Sequence, residues 1–311
     1  MSRRVSPATG RAYGLRRVTR VWGISRATVY RHRHGADAAH RRKPGPPGAM
    51  ADQDLAGMIR QLLADSPFHG EGYRKLWARL RFAGVRASRR RVLRLMRAHG
   101  LLAHQRAGRP RGSRAHDGRI TTAQVDLMWG SDLTSVMTGE GQAAVFVAVD
   151  HGSAECVGLH ASRSADRFEA LEPVRQGVRE RFGAFARNVA GGLALRHDHG
   201  SQYVSHHFQA EIRFLGIASS PAFVREPEGP VSSAGITPWD RAEPDGCAER
   251  FIRVLKENLL WVRRFDTVEE LRLALLAFRQ TYNRSWIIER HGYRTPAQVR
   301  ADQLGRMPMA A

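Results

Sequence analysis

Cysteine is almost missing: of 311 residues only Cys156 and Cys247 carry a thiol. Two cysteines exclude a disulfide framework and make a reducing cytoplasm the default compartment. No CxxC pair and no His/Cys cluster with ligand spacing occurs, so zinc is not expected. No apolar run reaches the roughly 18 residues that read as a bilayer span, and no membrane segment is predicted. The basic start, Met1-Ser2-Arg3-Arg4-Val5, has no apolar stretch behind it and is not read as a secretory signal. A phosphate-cradling glycine loop followed by Lys and Ser/Thr is also lacking, and with it any expectation of ATP use.

Acidic residues are scarce in one part of the chain only. Residues 1–119 hold 28 Lys and Arg against 6 Asp and Glu, a net of +22, whereas residues 120–311 hold 22 against 23, a net of −1. The overall charge of +21 therefore resides in the first part. A polyanion, DNA above all, is the natural partner of such a field. A basic surface kept for solubility is the plain alternative. Arg outnumbers Lys 26 to 2 there. High-GC coding alone produces part of that bias, although guanidinium forks also suit bidentate phosphate contact. With 42% hydrophobic and 25% charged residues the composition is that of a globular protein, and its length predicts two or three domains.

Residues 14–33 read as a helix-turn-helix. A helix from about Leu15 to Val21 is followed by the turn Trp22-Gly23-Ile24, an N-cap at Ser25 and a basic second helix from Arg26 to Arg33. Arg26, Thr28, Arg31 and Arg33 are positioned to reach DNA, with a basic helical hairpin as the alternative. Residues 34–48, rich in proline and glycine, read as a linker. A packing helix is predicted over Asp52 to Ala64. A second helix-turn-helix pattern follows: an amphipathic stretch from Gly72 to Leu80 that ends near Gly84, then Ser88 capping Arg89 to His99. Arg89, Arg90, Arg91, Arg94 and Arg97 give its outer face one sign, which favours phosphate over plain solvation. Residues 103–119 read as a second linker. From about residue 122 the pattern changes to three strands, a helix, a strand, a helix, a short strand and a helix. That order describes a mixed sheet with helices on both sides. The predicted divisions are 1–48, 49–118, 119–265 and 266–311.

Three carboxylates stand at informative places. Asp132 lies in the strand Trp129-Gly130-Ser131-Asp132. Asp198 ends a short strand in Arg196-His197-Asp198-His199-Gly200-Ser201-Gln202-Tyr203. Glu249 opens a helix in which Arg253 and Lys256 share its face at i+4 and i+7. Acids from separate elements can hold two Mg2+ ions that activate an attacking oxygen and stabilise a leaving one on a phosphodiester. For Glu249 and Arg253 a simple i,i+4 ion pair competes with that reading. Asp150 reads as a turn residue, His197 and His199 as neighbours whose side chains alternate away from Asp198, and Cys247 as an inert thiol.

Taken together the segments resemble the integrase-core transposases of bacterial insertion sequences. These are the type encoded in a second open reading frame and are related to retroviral integrases. The resemblance rests on Tyr73-Arg74-Lys75-Leu76-Trp77, Arg91-Val92-Leu93-Arg94-Leu95-Met96, Trp129-Gly130-Ser131-Asp132, His197-Asp198-His199-Gly200-Ser201-Gln202-Tyr203, Ala248-Glu249-Arg250-Phe251, Leu255-Lys256, Tyr282-Asn283 and His291-Gly292-Tyr293-Arg294-Thr295-Pro296. It covers about residues 68–300. It implies an RNase H-like α/β fold preceded by all-α helix-turn-helix segments, and a catalytic and metal-binding triad of Asp132, Asp198 and Glu249. It further implies Mg2+, with Mn2+ as a substitute, cleavage at transposon ends and attack of a 3′-hydroxyl on target DNA. Lys256 matches a position that in relatives contacts the transposon end, and residues 282–283 and 291–293 are expected to pack the last helices on the core. The implied partners are DNA, further copies in a synaptic complex and a product of an upstream reading frame, and the implied place is the nucleoid. The chain departs from the family in having 50 residues between Asp198 and Glu249, where roughly 35 are usual. The excess falls near 230–245, between Glu226-Pro227-Glu228-Gly229 and Glu243-Pro244-Asp245-Gly246. An insertion there leaves open a catalytically impaired, DNA-binding relic or regulator of the same element.

Overall fold

The structure, a computed structural model, describes residues 3–38, 50–103, 122–221 and 246–305, with side chains of the first stretch described to residue 33. Most of both predicted linkers and the 230–245 segment lie outside the described residues. The chain divides into two compact units, Met1–Asp54 and Leu55–Ala311.

In the first unit, α1 (Gly14–Val21) and α2 (Arg26–Ala38) flank a turn at Gly23, whose φ of +63° needs a residue without Cβ. Ser25 caps α2: its Oγ accepts from Thr28 N at 3.1 Å. The helix runs on to Ala38, past the predicted end at Arg33, because no proline intervenes before Pro44. Leu15, Val18, Trp22, Ile24 and Val29 line an open apolar groove of about 210 Å³, and Trp22 remains 60% exposed.

In the second unit, α3 (Asp52–Ala64) buries Leu55 and Ile59 one turn apart. Next come α4 (Tyr73–Phe82) and α5 (Arg89–Ala98), the latter capped by Ser88 Oγ accepting from Arg91 N at 3.2 Å. This pair is held by polar groups. The buried Glu71 accepts from Arg79 Nε at 2.9 Å, from Arg79 Nη2 at 3.0 Å and from Ser66 Oγ at 2.8 Å. The Lys75 amine lies 2.7 Å from the centre of the Trp286 ring and 4.0 Å from Glu71. Trp77 donates from Nε1 to Ala87 O at 2.9 Å, carries the Arg89 guanidinium on its face at 4.2 Å and meets Tyr293 edge-on.

The sheet comprises β1 (Met128–Thr138), β2 (Gly141–Asp150), β3 (Cys156–Ser162), β4 (Ala194–His197) and β5 (Ala218–Pro221), in the order β3-β2-β1-β4-β5. The first three strands are antiparallel neighbours, and β4 and β5 add parallel to β1. The apolar run in β2 splits by alternation: Val145, Val147 and Val149 enter one core, Ala144, Phe146 and Ala148 the other. The second core lies under α6 (Arg167–Phe182) and α8 (His206–Phe214), with the short α7 (Ser201–Val204) between β4 and α8. The first lies under α9 (Ala248–Leu255) and α10 (Val268–Ser285). A Cβ on Gly158 would stand 1.9 Å from Pro173 O, so α6 approaches β3 more closely than any side chain permits. Sheet order, strand sense and helices on both faces make this the RNase H-like arrangement.

The last helices pack onto the outer strand of the sheet. Asn283 accepts from Cys156 N and donates to Cys156 O, both at 2.9 Å, while Tyr282 donates to Ala154 O at 3.2 Å. Arg279 Nε and Arg272 Nε donate to Cys156 O and Ala161 O, and Gln176 accepts from Leu159 N. The final helix, α11 (Pro296–Leu304), brings Arg300 onto Asp126 at 2.6 and 2.8 Å and onto the buried Glu155.

Candidate active site and nucleic-acid interface

Strand pairing decides where the acids fall. The parallel register of β1 and β4 matches Gly130 with Arg196. Asp132 stands two residues further along β1, and Asp198 directly follows the last residue of β4, so the two acids come from neighbouring parallel strands. Alternation then fixes the face. Trp129 and Leu133 of β1, and Leu195 of β4, enter the core beneath α6 and α8. Asp132 is offset from Trp129 and Leu133 by odd numbers of residues and belongs to the opposite side, together with Val136. That side of β1 and β2 is covered by α9, whose first turn carries Glu249. Asp132 is half-buried, and Asp198 and Glu249 are exposed.

Local chemistry explains the residues around Asp198. Its Oδ1 accepts from Gly200 N at 2.9 Å, a tight turn in which a Cβ at Gly200 would lie 2.9 Å from that same oxygen. His197 faces the other way. It is buried, stacked on Tyr203 at 5.4 Å, and its Nε2 is paired with Ser219 Oγ at 3.0 Å. Tyr203 in turn reaches Ser131 Oγ at 3.3 Å, beside Asp132. Thus His197 and Tyr203 form a floor under both aspartates. Asp132 Oδ1 accepts from Leu133 N at 2.7 Å.

The hard oxygen donors suit a divalent cation such as Mg2+. Asp132 and Asp198 come from neighbouring parallel strands, and Glu249 from the first turn of the helix that covers β1 and β2. Among the described residues, however, no group of three or more His, Cys, Asp or Glu side chains stands close enough together to hold a metal ion. Asp150 serves its turn: Oδ2 accepts from Ser153 N and Oγ at 2.7 Å, and burial raises its carboxyl above the usual range.

The helix bearing Glu249 is not the uninterrupted α-helix that its sequence predicts. From Lys256 to Leu260 it widens into a π turn, closed by Trp261 N donating to Lys256 O at 2.9 Å. Asn258 explains the change. It is buried, its Nδ2 occupies Val254 O at 2.8 Å, and its Oδ1 accepts from His69 N at 2.7 Å. A polar side chain inserted into the backbone ladder displaces the ordinary bonding pattern. Asn258 was not singled out by its spacing. A lone amide among Leu255, Leu259 and Leu260 is the signal that marks it. Arg253 is exposed and Lys256 half-exposed beside Glu249.

Of the basic residues predicted to face DNA, Arg26 and Arg31 are exposed on α2 and Thr28 is half-buried beside its cap. Arg90 and Arg94 are exposed on α5. Arg89 is also engaged within the protein, stacked on Trp77 and 3.8 Å from Glu289. No helix among the described residues is long and apolar enough to cross a membrane.

Comparison with known proteins agrees with this layout. Residues 51–109 match an HTH-like domain and residues 123–227 an integrase core domain. The chain thus has an HTH-like domain in front of an integrase core domain over these residues. Its relatives are insertion-sequence transposases. It is 27% identical over 239 residues, 73% of either chain, to the transposase for insertion sequence element IS629 of Shigella sonnei. It is 29% identical over 156 residues, 50% of this chain and 53% of the relative, to the transposase for insertion sequence element IS904 of Lactococcus lactis subsp. lactis (strain IL1403). Among solved structures it is similar to a chain of the simian T-cell lymphotropic virus intasome, with 17% identity, a TM-score of 0.43 and coverage of 84% of this chain and 76% of that one. It is also similar to the HTLV-2 integrase catalytic core domain in complex with magnesium, with 15% identity, a TM-score of 0.39 and coverage of 57% and 97%.

Proposed function

We propose that the chain is the DNA transposase of a bacterial insertion sequence, a polynucleotidyl transferase that cleaves at the element's ends and joins the resulting 3′-hydroxyl to target DNA. What supports this reading is an integrase-type sheet in which β1, the strand bearing Asp132, pairs in parallel with β4, which Asp198 directly follows, with Glu249 in the first turn of α9. These three are the proposed catalytic and metal-holding residues. A bound Mg2+ or Mn2+ would supply polarisation of the phosphodiester and of the attacking oxygen. The chain's own groups do the rest. His197 and Tyr203 hold the aspartate-bearing backbone, while Arg253 and Lys256 place two cations beside Glu249 for the DNA backbone. Arg26, Thr28 and Arg31, and Arg89, Arg90 and Arg94, are the proposed contacts of the two helix-turn-helix regions. The proposed divisions are 1–48, 49–118, 119–265 and 266–311. Two element ends have to be held together, so self-association in a synaptic complex belongs to the proposal, as does a product of an upstream reading frame as partner.

The test is cleavage and joining of terminal inverted-repeat DNA with Mg2+. Asp132→Asn and Asp198→Asn should each remove nearly all activity, since members of a unit fail together, while DNA binding persists. Activity unchanged in both variants would refute the assignment. The lack of a gathered three-acid group among the described residues favours a second reading, a DNA-binding relic or regulator impaired by the segment near 230–245. End binding without metal-dependent chemistry, with activity regained on deletion of that segment, would establish it.

A further inference from the structure

Beyond the π turn lies a surface that the catalytic reading does not use. Three large apolar side chains meet there in solvent: Met137 of β1 at 69% exposure, Trp261 at 67% and Val262 at 55%. With Ser135, Val136 and Arg264 they line an open groove of about 430 Å³. Exposed apolar groups gathered in this way mark a binding face. The groove's lining contains no acid, and of its two remaining residues, Leu260 and Arg263, the arginine is paired with Glu270 at 2.7 Å, which leaves Arg264 as the cation offered to a partner. It lies along the strand that carries Asp132: Val136, on the same face as Asp132, stands four residues further on, roughly 13 Å at about 3.3 Å per residue. At its other end it continues from Arg253 and Lys256 along the same helix.

We infer that Trp261, with Arg264, is a stacking platform for an unpaired base at the end of the bound DNA strand. An exposed indole beside a guanidinium, on a groove leading to a phosphodiester-cleaving centre, offers a π-face to any base and a positive charge to its phosphate. A second copy of the chain suits the groove less well, because an isologous contact would bring Arg263 and Arg264 against their own counterparts. The inference rests on the transposase reading for the presence of DNA and extends it to the strand's unpaired terminus.

Binding measured in EDTA separates the two ideas, since no chemistry is needed. The probes are a GC-rich duplex with a short oligo-dT overhang and the same duplex made blunt. The wild-type chain should prefer the overhang. Trp261→Ala should weaken overhang binding roughly 5- to 100-fold while leaving blunt binding and thermal stability unchanged, Trp261→Phe should retain most of the preference, and Arg264→Ala should weaken overhang binding. Equal affinity of wild type for both probes, or overhang binding by Trp261→Ala as tight as wild type, would overturn the inference. So would a DNA-free oligomer that dissociates when Trp261 is truncated, which would assign the groove to self-contact. Failure of Mg2+-dependent cleavage with a Trp261-dependent preference intact would instead sink only the transposase reading.

Discussion

The molecule contains two arginine-rich helix pairs with tryptophans in opposite situations. In the first, Trp22 lies open on a shallow groove, and α1 and α2 form part of a unit of their own. In the second, Trp77 is sandwiched between Arg89 and Tyr293, and buried Glu71 gathers Arg79 and Ser66 beneath α4. The same sequence pattern thus yields a small unit with little core in one place and a docked part of a large one in the other. What separates them is not the arginines but the polar and aromatic groups on the inner side. The second pair is immobilised against the C-terminal segment through Lys75–Trp286 and Arg74–Glu289. A surface borne on α5 therefore keeps a fixed position relative to α10.

Substitutions can break this contrast. Glu71→Ala, which strands Arg79 without its buried counter-charge, should cost about 3–5 kcal/mol in chemical denaturation of the larger unit. Trp77→Ala should cost about 3 kcal/mol, whereas Trp22→Ala should change stability by no more than about 0.5 kcal/mol. Equal costs would erase the distinction.

A pH profile sharpens it further. Burial holds the Lys75 amine down to about 7, against the pull of Glu71. A folded value below the unfolded 10.5 means that the unfolded chain binds more protons between them. Stability should therefore rise from about pH 7 toward pH 10.5, and that rise should be absent in Lys75→Met. The smallest effect belongs to the first pair: Arg31→Ala should leave folding unaltered and lower the salt slope of DNA binding by about 1.

Much of this was readable in the sequence. The helix limits at Asp52–Ala64 and both serine caps followed from periodicity and cap chemistry, which are local. The mixed sheet followed from element order. Three features did not follow. Arg89 reads as one more surface cation, because its stacking partner Trp77 lies twelve residues away on another helix. The π turn depends on Asn258 meeting a backbone amide at residue 69. The docking of α4 through Lys75 depends on Trp286, more than two hundred residues away along the chain. Each is a non-local contact, and periodicity carries no information about those. The parallel pairing of β1 with β4, which brings the strands of Asp132 and Asp198 side by side, is intermediate: the strands were legible, their pairing was not.

The outer rim of the sheet has a consequence for assembly. At Cys156 the amide of Asn283 imitates a neighbouring strand, taking both the N–H and the carbonyl, the latter shared with Arg279, while Arg272 and Gln176 occupy further groups along β3. A border finished in this way offers no template for another chain to zip onto. Any edge-to-edge association of this protein would have to start from some other side.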